Sequence, residues 1–426
     1  MHWIQFLLGL SLLCLQASSS PTPPKKTTRS FKIDLVRRSD YLPDGPRALK
    51  KAYAKFGIIP TNINYGHFND FIPLASGLDR DAISKAKQPD ETGAVTNTPT
   101  AHDVQYLSPV TIGGQQFVMN LDTGSSDTWV FNTQLPESAR KGHSSFNPTK
   151  SRTFSKMDGS SFNITYGDAS FAFGSVGTDT VDIGGATVAK QAIGLPSQVS
   201  ASFIKDEISD GLVGLGFDKL STMRPKRQKS FLTNLAADLD EPVFAAQLKK
   251  GAPGSYEFGT IDRTKFKGNL TKVPVNSARG FWEFKSSLFK VGNDTQLRQI
   301  KLKTPNAIAD TGTTLILVDG EMVKAYYEQV KDAKLSTQAG GYIFPCDTTL
   351  PALYVSLADT HLAKIPGNLL NFSPVGSDAK TGEELCFGGV QSNMGTGLQI
   401  FGDIFFKALF VVFDLRGPCL HVAAHA

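Results

Sequence analysis

From Gln105 to the C-terminus, apolar residues fall in short alternating or continuous runs separated by Gly, Asn, Asp and Ser, a rhythm that predicts a mostly β protein. Phe162, Ile164 and Tyr166 alternate with polar residues before Gly167 and Asp168, which predicts a hairpin. Two stripes at helical spacing interrupt this rhythm. Phe231, Leu232, Leu235 and Leu239 predict one helix; Val323, Tyr326, Tyr327 and Val330 predict another, with Asp319 placed to cap it. Aromatic residues at such spacing are read as core contacts rather than as a cofactor site. Before Gln105 the pattern is different. An apolar run from Ile4 to Leu15 is followed by small residues, and its 12 positions are too few for a membrane span of roughly 20. Residues 1–20 are therefore expected to be a secretory signal peptide. Residues 21–90 are rich in Lys, Arg and Pro, with a helix-like stretch from Arg47 to Phe56 ended by Gly57, and are expected to be a removable leading segment.

The chain has 426 residues, of which 40% are apolar and 19% charged, an ordinary globular balance that excludes a disordered chain and a polytopic membrane protein. The net charge of +5 would suggest an acidic partner if it were spread evenly. It is not: residues 21–90 hold 13 Lys and Arg against 7 Asp and Glu, a net +6, whereas residues 91–426 hold 31 against 32, a net −1. The basicity belongs to the leading segment, so no nucleic-acid partner is expected. The run Arg224–Lys229 (RPKRQK) is read as a solvated stretch entering a helix, with a dibasic processing site as the alternative. Once Cys14 leaves with the signal, Cys346, Cys386 and Cys419 remain, so an oxidising compartment allows one disulfide and leaves one thiol. Cys346 with Cys386 is the preferred pair because Cys419 lies in a terminal strand-like run, although sequence alone leaves the pairing open. Asn163, Asn269, Asn293 and Asn371 each begin an Asn-x-Ser/Thr sequon, candidates for N-glycosylation in a secreted chain.

An internal repeat carries the chemistry. Asn120-Leu121-Asp122-Thr123-Gly124-Ser125-Ser126 recurs as Ile308-Ala309-Asp310-Thr311-Gly312-Thr313-Thr314, 188 residues later. Each copy is followed, 92 residues after its aspartate, by the glycine of an apolar-apolar-Gly element: Leu212-Val213-Gly214 and Ile400-Phe401-Gly402. Equal spacing in both halves implies two homologous lobes, each contributing one carboxylate at the end of an apolar strand. A single such carboxylate would be read as a turn former. If the lobes face each other about a pseudo-twofold axis, Asp122 and Asp310 meet, and two carboxylates within about 3 Å cannot both ionise at ordinary cost. The ionised member of such a pair can take a proton from a water held between them while the protonated member gives its proton to a carbonyl oxygen, with no covalent intermediate. Ser125 and Thr313 are placed to hydrogen-bond the outer carboxylate oxygens, and Thr123 and Thr311 to bond across the lobe interface. Gly124 and Gly312 are expected to let the backbone turn tightly behind each carboxylate.

DTGSSDTWVF at Asp122–Phe131, YGDAS at Tyr166–Ser170, DGLVGLGF at Asp210–Phe217, ADTGTTL at Ala309–Leu315 and IFGDIFFKALFVVFD at Ile400–Asp414 together resemble the pepsin-type aspartic endopeptidases. GFWEF at Gly280–Phe284 and GGYIFPC at Gly340–Cys346 are similar to the fungal branch, that of endothiapepsin, penicillopepsin and aspergillopepsin. The resemblance implies a mostly β, bilobal fold with an active-site cleft between two pseudo-twofold-related lobes, here residues 91–276 and 277–426. It implies hydrolysis of protein and peptide substrates at acidic pH, a preference for large hydrophobic residues at the scissile bond, inhibition by pepstatin-type compounds, and a dyad sharing one proton, as is general for this class. Tyr166 would be the flap tyrosine, its hydroxyl held by the indole of Trp129; Gly167, Asp168 and Ser170 would bind substrate at the flap. An aspartate at position 168 implies acceptance of Lys before the scissile bond. Lys55, followed by Phe56 and Gly57, resembles the lysine with which the family's pro-segment plugs the cleft, making that segment an intramolecular inhibitor of a zymogen.

The chain departs from its relatives at Thr128, Ala169, Phe171, Phe173 and Phe401, none of which removes a catalytic group, and at Cys419 and His421 in the terminal strand. Neither Cys-x-x-Cys, His-Glu-x-x-His nor Gly-x-Ser-x-Gly occurs, so no metal or other cofactor is expected. A monomer without a membrane anchor is expected, exported to the medium in preference to an acidic vacuole. The competing readings are a catalytically inactive binding protein on the same fold, disfavoured by intact Asp122, Asp310 and Tyr166, and a glycoside hydrolase with paired carboxylates, disfavoured by the Thr-Gly context and the repeat.

Overall fold

The computed structural model describes residues 30–34, 43–60, 71–73, 106–165, 171–207, 209–302 and 305–426. The expected signal peptide and the boundary near residue 90 lie outside them.

The fold is mostly β and bilobal. Strands between Leu107 and Gly214 build one seven-stranded sheet; strands between Glu283 and Phe401 build the sheets of the second half. A six-stranded sheet joins the halves, combining Val243–Lys249, Ala252–Phe258 and Phe266–Pro274 with Leu409–Asp414 and Cys419–His425. Its strand Leu409–Asp414 opens with a continuous apolar run, Leu409–Phe413, buried at every position, as expected where a sheet is covered on both faces.

The equal spacing in the two repeats is a pairing register. Gln115–Asp122 runs parallel to Gly211–Gly214, with Asp122 opposite Gly214; Asn306–Ala309 runs parallel to Leu398–Phe401, with Ala309 opposite Phe401. Both Asp-Thr-Gly loops thus emerge at the ends of strands clamped in the core. Gly214 and Gly402 are required by close approach: a Cβ on Gly214 would lie 2.5 Å from the Cα of Ser126, and one on Gly402 2.5 Å from the Leu315 carbonyl.

Three pieces of the leading segment dock onto this frame. Phe31–Asp34 pairs with Ser255–Phe258 at the edge of the joining sheet, and Phe71–Pro73 pairs with Gly376–Asp378. Between them lies the helix Gly45–Lys55, capped by Asp44, whose carboxylate accepts the Arg47 N–H at 2.9 Å, and terminated before Gly57, which takes a left-handed φ of 65°. Ala48, Leu49, Ala52 and Tyr53 form its buried stripe.

Helix Gly320–Tyr327 starts at the predicted cap, Asp319, and Val330 is buried just beyond its end. The stripe ending at Leu239 overstates its helix, which covers Phe231–Leu235 only. Asp238, Asp240 and Glu241 would place negative charge at a helix C-terminus, and Pro242 forbids continuation. Arg224–Lys229 precedes this helix and is largely exposed. Cys346 and Cys386 form a disulfide closing a separation of 40 residues, and Cys419 is a buried free thiol. In the terminal hairpin Cys419 Sγ is 3.5 Å from His421 Nε2, which is 3.3 Å from Asp414 Oδ2. Arg416 already donates to both oxygens of that carboxylate, at 3.0 and 2.8 Å, which disfavours a cation there.

Candidate active site

The two strand ends bring Asp122 and Asp310 together with 0% exposure. Each carboxylate is held in the same way. Gly124 N–H donates to Asp122 Oδ1 at 2.8 Å and the Ser125 hydroxyl to Oδ2 at 2.6 Å; Gly312 N–H donates to Asp310 Oδ1 at 3.0 Å and the Thr313 hydroxyl to Oδ2 at 2.5 Å. Behind them the halves interlock. Thr123 N–H donates to Thr311 Oγ1 at 3.1 Å and Thr311 N–H to Thr123 Oγ1 at 3.0 Å, while the two hydroxyls donate to the Ala309 and Leu121 carbonyls at 2.9 and 2.7 Å. These four bonds fix both loops with every donor satisfied in a buried setting.

The glycines serve a different end from the one expected. Neither Gly124 nor Gly312 has a positive φ. Instead a Cβ on Gly124 would lie 2.5 Å from Asp310 Oδ1, and one on Gly312 would strike Asp122 Oδ1. Each glycine makes room for the carboxylate of the opposite lobe.

Lys55 occupies the space between the carboxylates. Its Nζ lies 2.5 Å from Asp122 Oδ1 and 2.8 and 2.9 Å from the two Asp310 oxygens, with the lysine side chain only 10% exposed. Burial is the largest influence on Asp310 and raises it; Lys55 opposes and the Asp122 charge reinforces, leaving it at about 6. Burial also acts upward on Asp122, but the Lys55 charge and hydrogen bonds from Asp310, Lys55 and Ser125 outweigh it and hold that carboxyl below its ordinary value. Burial would lower Lys55, yet the two carboxylates overcome this and raise it. With Lys55 in place the pair is thus split, Asp310 above its ordinary value and Asp122 below it, the kind of asymmetry that simultaneous proton donation and abstraction requires.

The helix that carries Lys55 makes further contacts that the sequence did not signal. Tyr53 donates its hydroxyl to the Ser392 carbonyl at 2.7 Å, Phe56 packs on Phe281 with ring centroids 6.3 Å apart, and Lys51 pairs with Asp206 at 3.7 Å. The buried stripe was present in ALKKAYAKF, but its partners are far along the chain. Trp282 was also missed: its indole donates to the Leu215 carbonyl at 3.1 Å, and Leu215 N–H holds the Asp122 carbonyl at 2.7 Å.

The strands flanking the predicted hairpin are Ser155–Thr165 and Phe171–Ile183, paired antiparallel with Thr165 opposite Phe171. Tyr166, Gly167, Asp168 and Ser170 lie outside the described residues. Trp129 is 2% exposed, and its indole nitrogen has no hydrogen-bond partner among the described residues. Among the sequons, Asn163, Asn269 and Asn293 are exposed, whereas Asn371 is half-buried and donates its amide to the Cys346 carbonyl at 2.8 Å.

Comparison with known proteins agrees with this geometry. The family model described as eukaryotic aspartyl protease matches residues 105–425. The chain is 68% identical over 426 residues to aspartic protease PEP3 of Coccidioides posadasii, covering 100% of this chain and 96% of that protein. It is 39% identical over 426 residues to aspergillopepsin-1 of Aspergillus flavus (98% of this chain, 97% of that protein) and 39% identical over 422 residues to penicillopepsin-1 of Penicillium rubens (98% of each). Fold, paired carboxylates and similarity along the full length converge: this chain belongs to the eukaryotic aspartyl protease family and is an aspartic-type endopeptidase.

Proposed function

We propose that Asp122 and Asp310 are the catalytic dyad of a secreted acid endopeptidase made as a zymogen. The observation that carries this reading is the convergence of two buried carboxylates, each held by its own Gly N–H and hydroxyl, around a single small group. In the latent chain that group is the Lys55 ammonium; in the working enzyme it is a water. Ionised Asp122 takes a proton as the water oxygen attacks the scissile carbonyl carbon, and protonated Asp310 gives its proton to the carbonyl oxygen. The tetrahedral intermediate collapses with cleavage of the C–N bond, and a proton passes to the departing amine.

Residues 1–20 are the export signal and residues 21–90 the pro-segment, an intramolecular inhibitor, with residues 91–276 and 277–426 the two catalytic lobes. The docked helix and the charge split between +6 and −1 support this division. Thr123, Gly124, Ser125, Thr311, Gly312 and Thr313 keep the dyad planar and spaced, and Tyr166 closes the flap over large hydrophobic substrate residues. Asn163, Asn269 and Asn293 are the sequons with room for a glycan. The enzyme works as a monomer and binds pepstatin-type inhibitors. Digestion of a denatured protein at about pH 3 to 5 with and without pepstatin tests the reading. Cleavage abolished by the inhibitor is expected, and cleavage indifferent to it would overturn the assignment.

Lys acceptance rests on Asp168. Asp168→Ala is expected to lower kcat/KM for peptides with Lys before the scissile bond by about tenfold or more, the worth of one charge-assisted contact, while leaving Phe and Leu peptides within about twofold. Equal losses on both peptide sets would remove Asp168 from specificity.

A further inference from the structure

His143 is half-buried against the N-terminal half, its ring stacked on Phe131 with centroids 3.8 Å apart and planes 6° from parallel. Its Nδ1 is 3.1 Å from the Ser209 carbonyl oxygen and its Nε2 is 3.1 Å from the Ile204 carbonyl oxygen. A carbonyl oxygen has lone pairs and no proton. A neutral imidazole has one N–H, so it could satisfy one carbonyl and would set a nitrogen lone pair against the other. The imidazolium alone donates at both ends.

The segment so held borders the cleft. The short helix Ala201–Ile204 carries Phe203, whose ring packs edge-on against Trp129 with centroids 5.1 Å apart. Asp206 pairs with Lys51, which lies one turn before Lys55 on the docked helix. That helix therefore reaches the dyad through Lys55 and this segment through Lys51.

The charged groups around His143 come from each surrounding stretch. Asp210 lies next to Ser209; burial raises its carboxyl above the ordinary value, while the Val118 and Ser144 N–H groups, which donate to its oxygens at 2.9 and 2.7 Å, and the His143 charge pull the other way. The facing segment brings Lys205, Asp206 and Glu207, and the Glu207 side chain lies against Gly142. The histidine's own loop brings Arg140, whose Nε donates to the Leu135 carbonyl at 2.9 Å, and Lys141.

We propose that His143 is a positioning residue that, as an imidazolium, ties the Ile204 and Ser209 carbonyls to the chain at Phe131, just after the strand Thr128–Val130, and so sets the cleft wall at residues 201–207 for substrate. Loss of one proton opens one tie, and the wall loosens as the pH rises. The inference rests on the acid-endopeptidase reading above for its substrate role, but the protonation state and the hold on the wall do not depend on activity.

The test therefore has two arms. In the full chain carrying Asp310→Asn, which avoids self-digestion, nitrogen-15 spectra of the imidazole are expected to show both His143 nitrogens protonated at pH 5. Amide exchange in 201–207, corrected for its intrinsic pH dependence, is expected to rise by about tenfold between pH 5 and 8, the factor a single lost hydrogen bond can supply. His143→Arg, whose planar cation can stack on Phe131 and donate at every pH, should flatten that rise; His143→Phe, which keeps the stack and removes both donors, should leave exchange fast throughout. A neutral tautomer at pH 5, or exchange in the His143 chain that does not respond to pH, would overturn the proposal. In the active enzyme at pH 5, His143→Phe is expected to raise KM by about three- to tenfold with kcat within about twofold, and His143→Arg to restore KM. Unchanged KM beside the expected exchange would refute the substrate role alone, and an inactive enzyme with the expected exchange would refute the acid-endopeptidase reading alone.

Discussion

Replacing Asp310 with Asn is expected to lower kcat by about 10³-fold or more while leaving KM within a few-fold, since it removes a proton-transferring group without removing a substrate contact. The substitution is nearly isosteric. The Asn carbonyl can still accept the Gly312 N–H, and its amide can face the Thr313 hydroxyl, so the loop that places residue 310 at the dyad is retained. What is lost is the split between one protonated and one ionised carboxyl: an amide neither gives up a proton to a substrate carbonyl nor regains one from water. Steady-state kinetics on a peptide substrate, with thermal unfolding as the control for folding, checks this. Activity within about tenfold of the unsubstituted enzyme would mean that the chemistry is done elsewhere.

Lys55→Met is expected to abolish latency near neutral pH. The sign follows from linkage between docking and protonation. The Lys55 charge acts downward on both Asp122 and Asp310, so its pairing with the dyad favours the ionised carboxylates and is weakened by acid. Relative to a cleft without lysine, the contribution of each carboxylate is present above its undocked pKa and lost as the pH falls through its docked one. For Asp310 that loss is complete below about 6; for Asp122 it follows at a pH below the ordinary carboxylate range. Latency in the unsubstituted chain should therefore decline in two stages. With methionine at position 55 the anchor is absent at every pH, and two buried carboxylates are left facing an apolar side chain, at a cost of about 3 to 5 kcal/mol in docking. Full-chain samples incubated across pH 4 to 8 and resolved by size should show trimming near pH 7 in the variant where the Lys55 chain stays intact. Identical pH profiles would show that other contacts maintain latency.

The convergence of the two carboxylates was legible because it is written in local, repeated words. Asp122 and Asp310 announced each other through the Thr-Gly that follows each, and the spacing from each aspartate to its following glycine turned out to be a strand register. The β character and the cap at Asp319 were legible for similar local reasons, whereas the pairing of Cys346 with Cys386 was a preference that the sequence left open. Gly124 was harder. Its motif suggested a backbone-angle requirement, but the physical demand comes from a carboxylate 186 residues away along the chain, which no local pattern encodes. Phe31–Asp34 escaped notice because a four-residue edge strand carries too short an alternation to stand out. Lys51, Tyr53 and His143 sit in ordinary sequence, and their significance lies in carbonyls or carboxylates brought near only by the fold. Leu239 shows the opposite error: its apolar spacing is real and the residue is buried, yet the acidic turn before Pro242 ends the helix early.

The reciprocal threonine bonds behind the dyad have a consequence for how such an enzyme can be silenced. Thr123 and Thr311 complete one another, so neither half of the molecule owns a finished catalytic centre, and competence is a property of their relative pose. A shift of one lobe by about an ångström would break bonds of 3.0 and 3.1 Å without altering any reacting atom. Any ligand that splays the halves, even from a surface remote from both aspartates, would act as an off-switch.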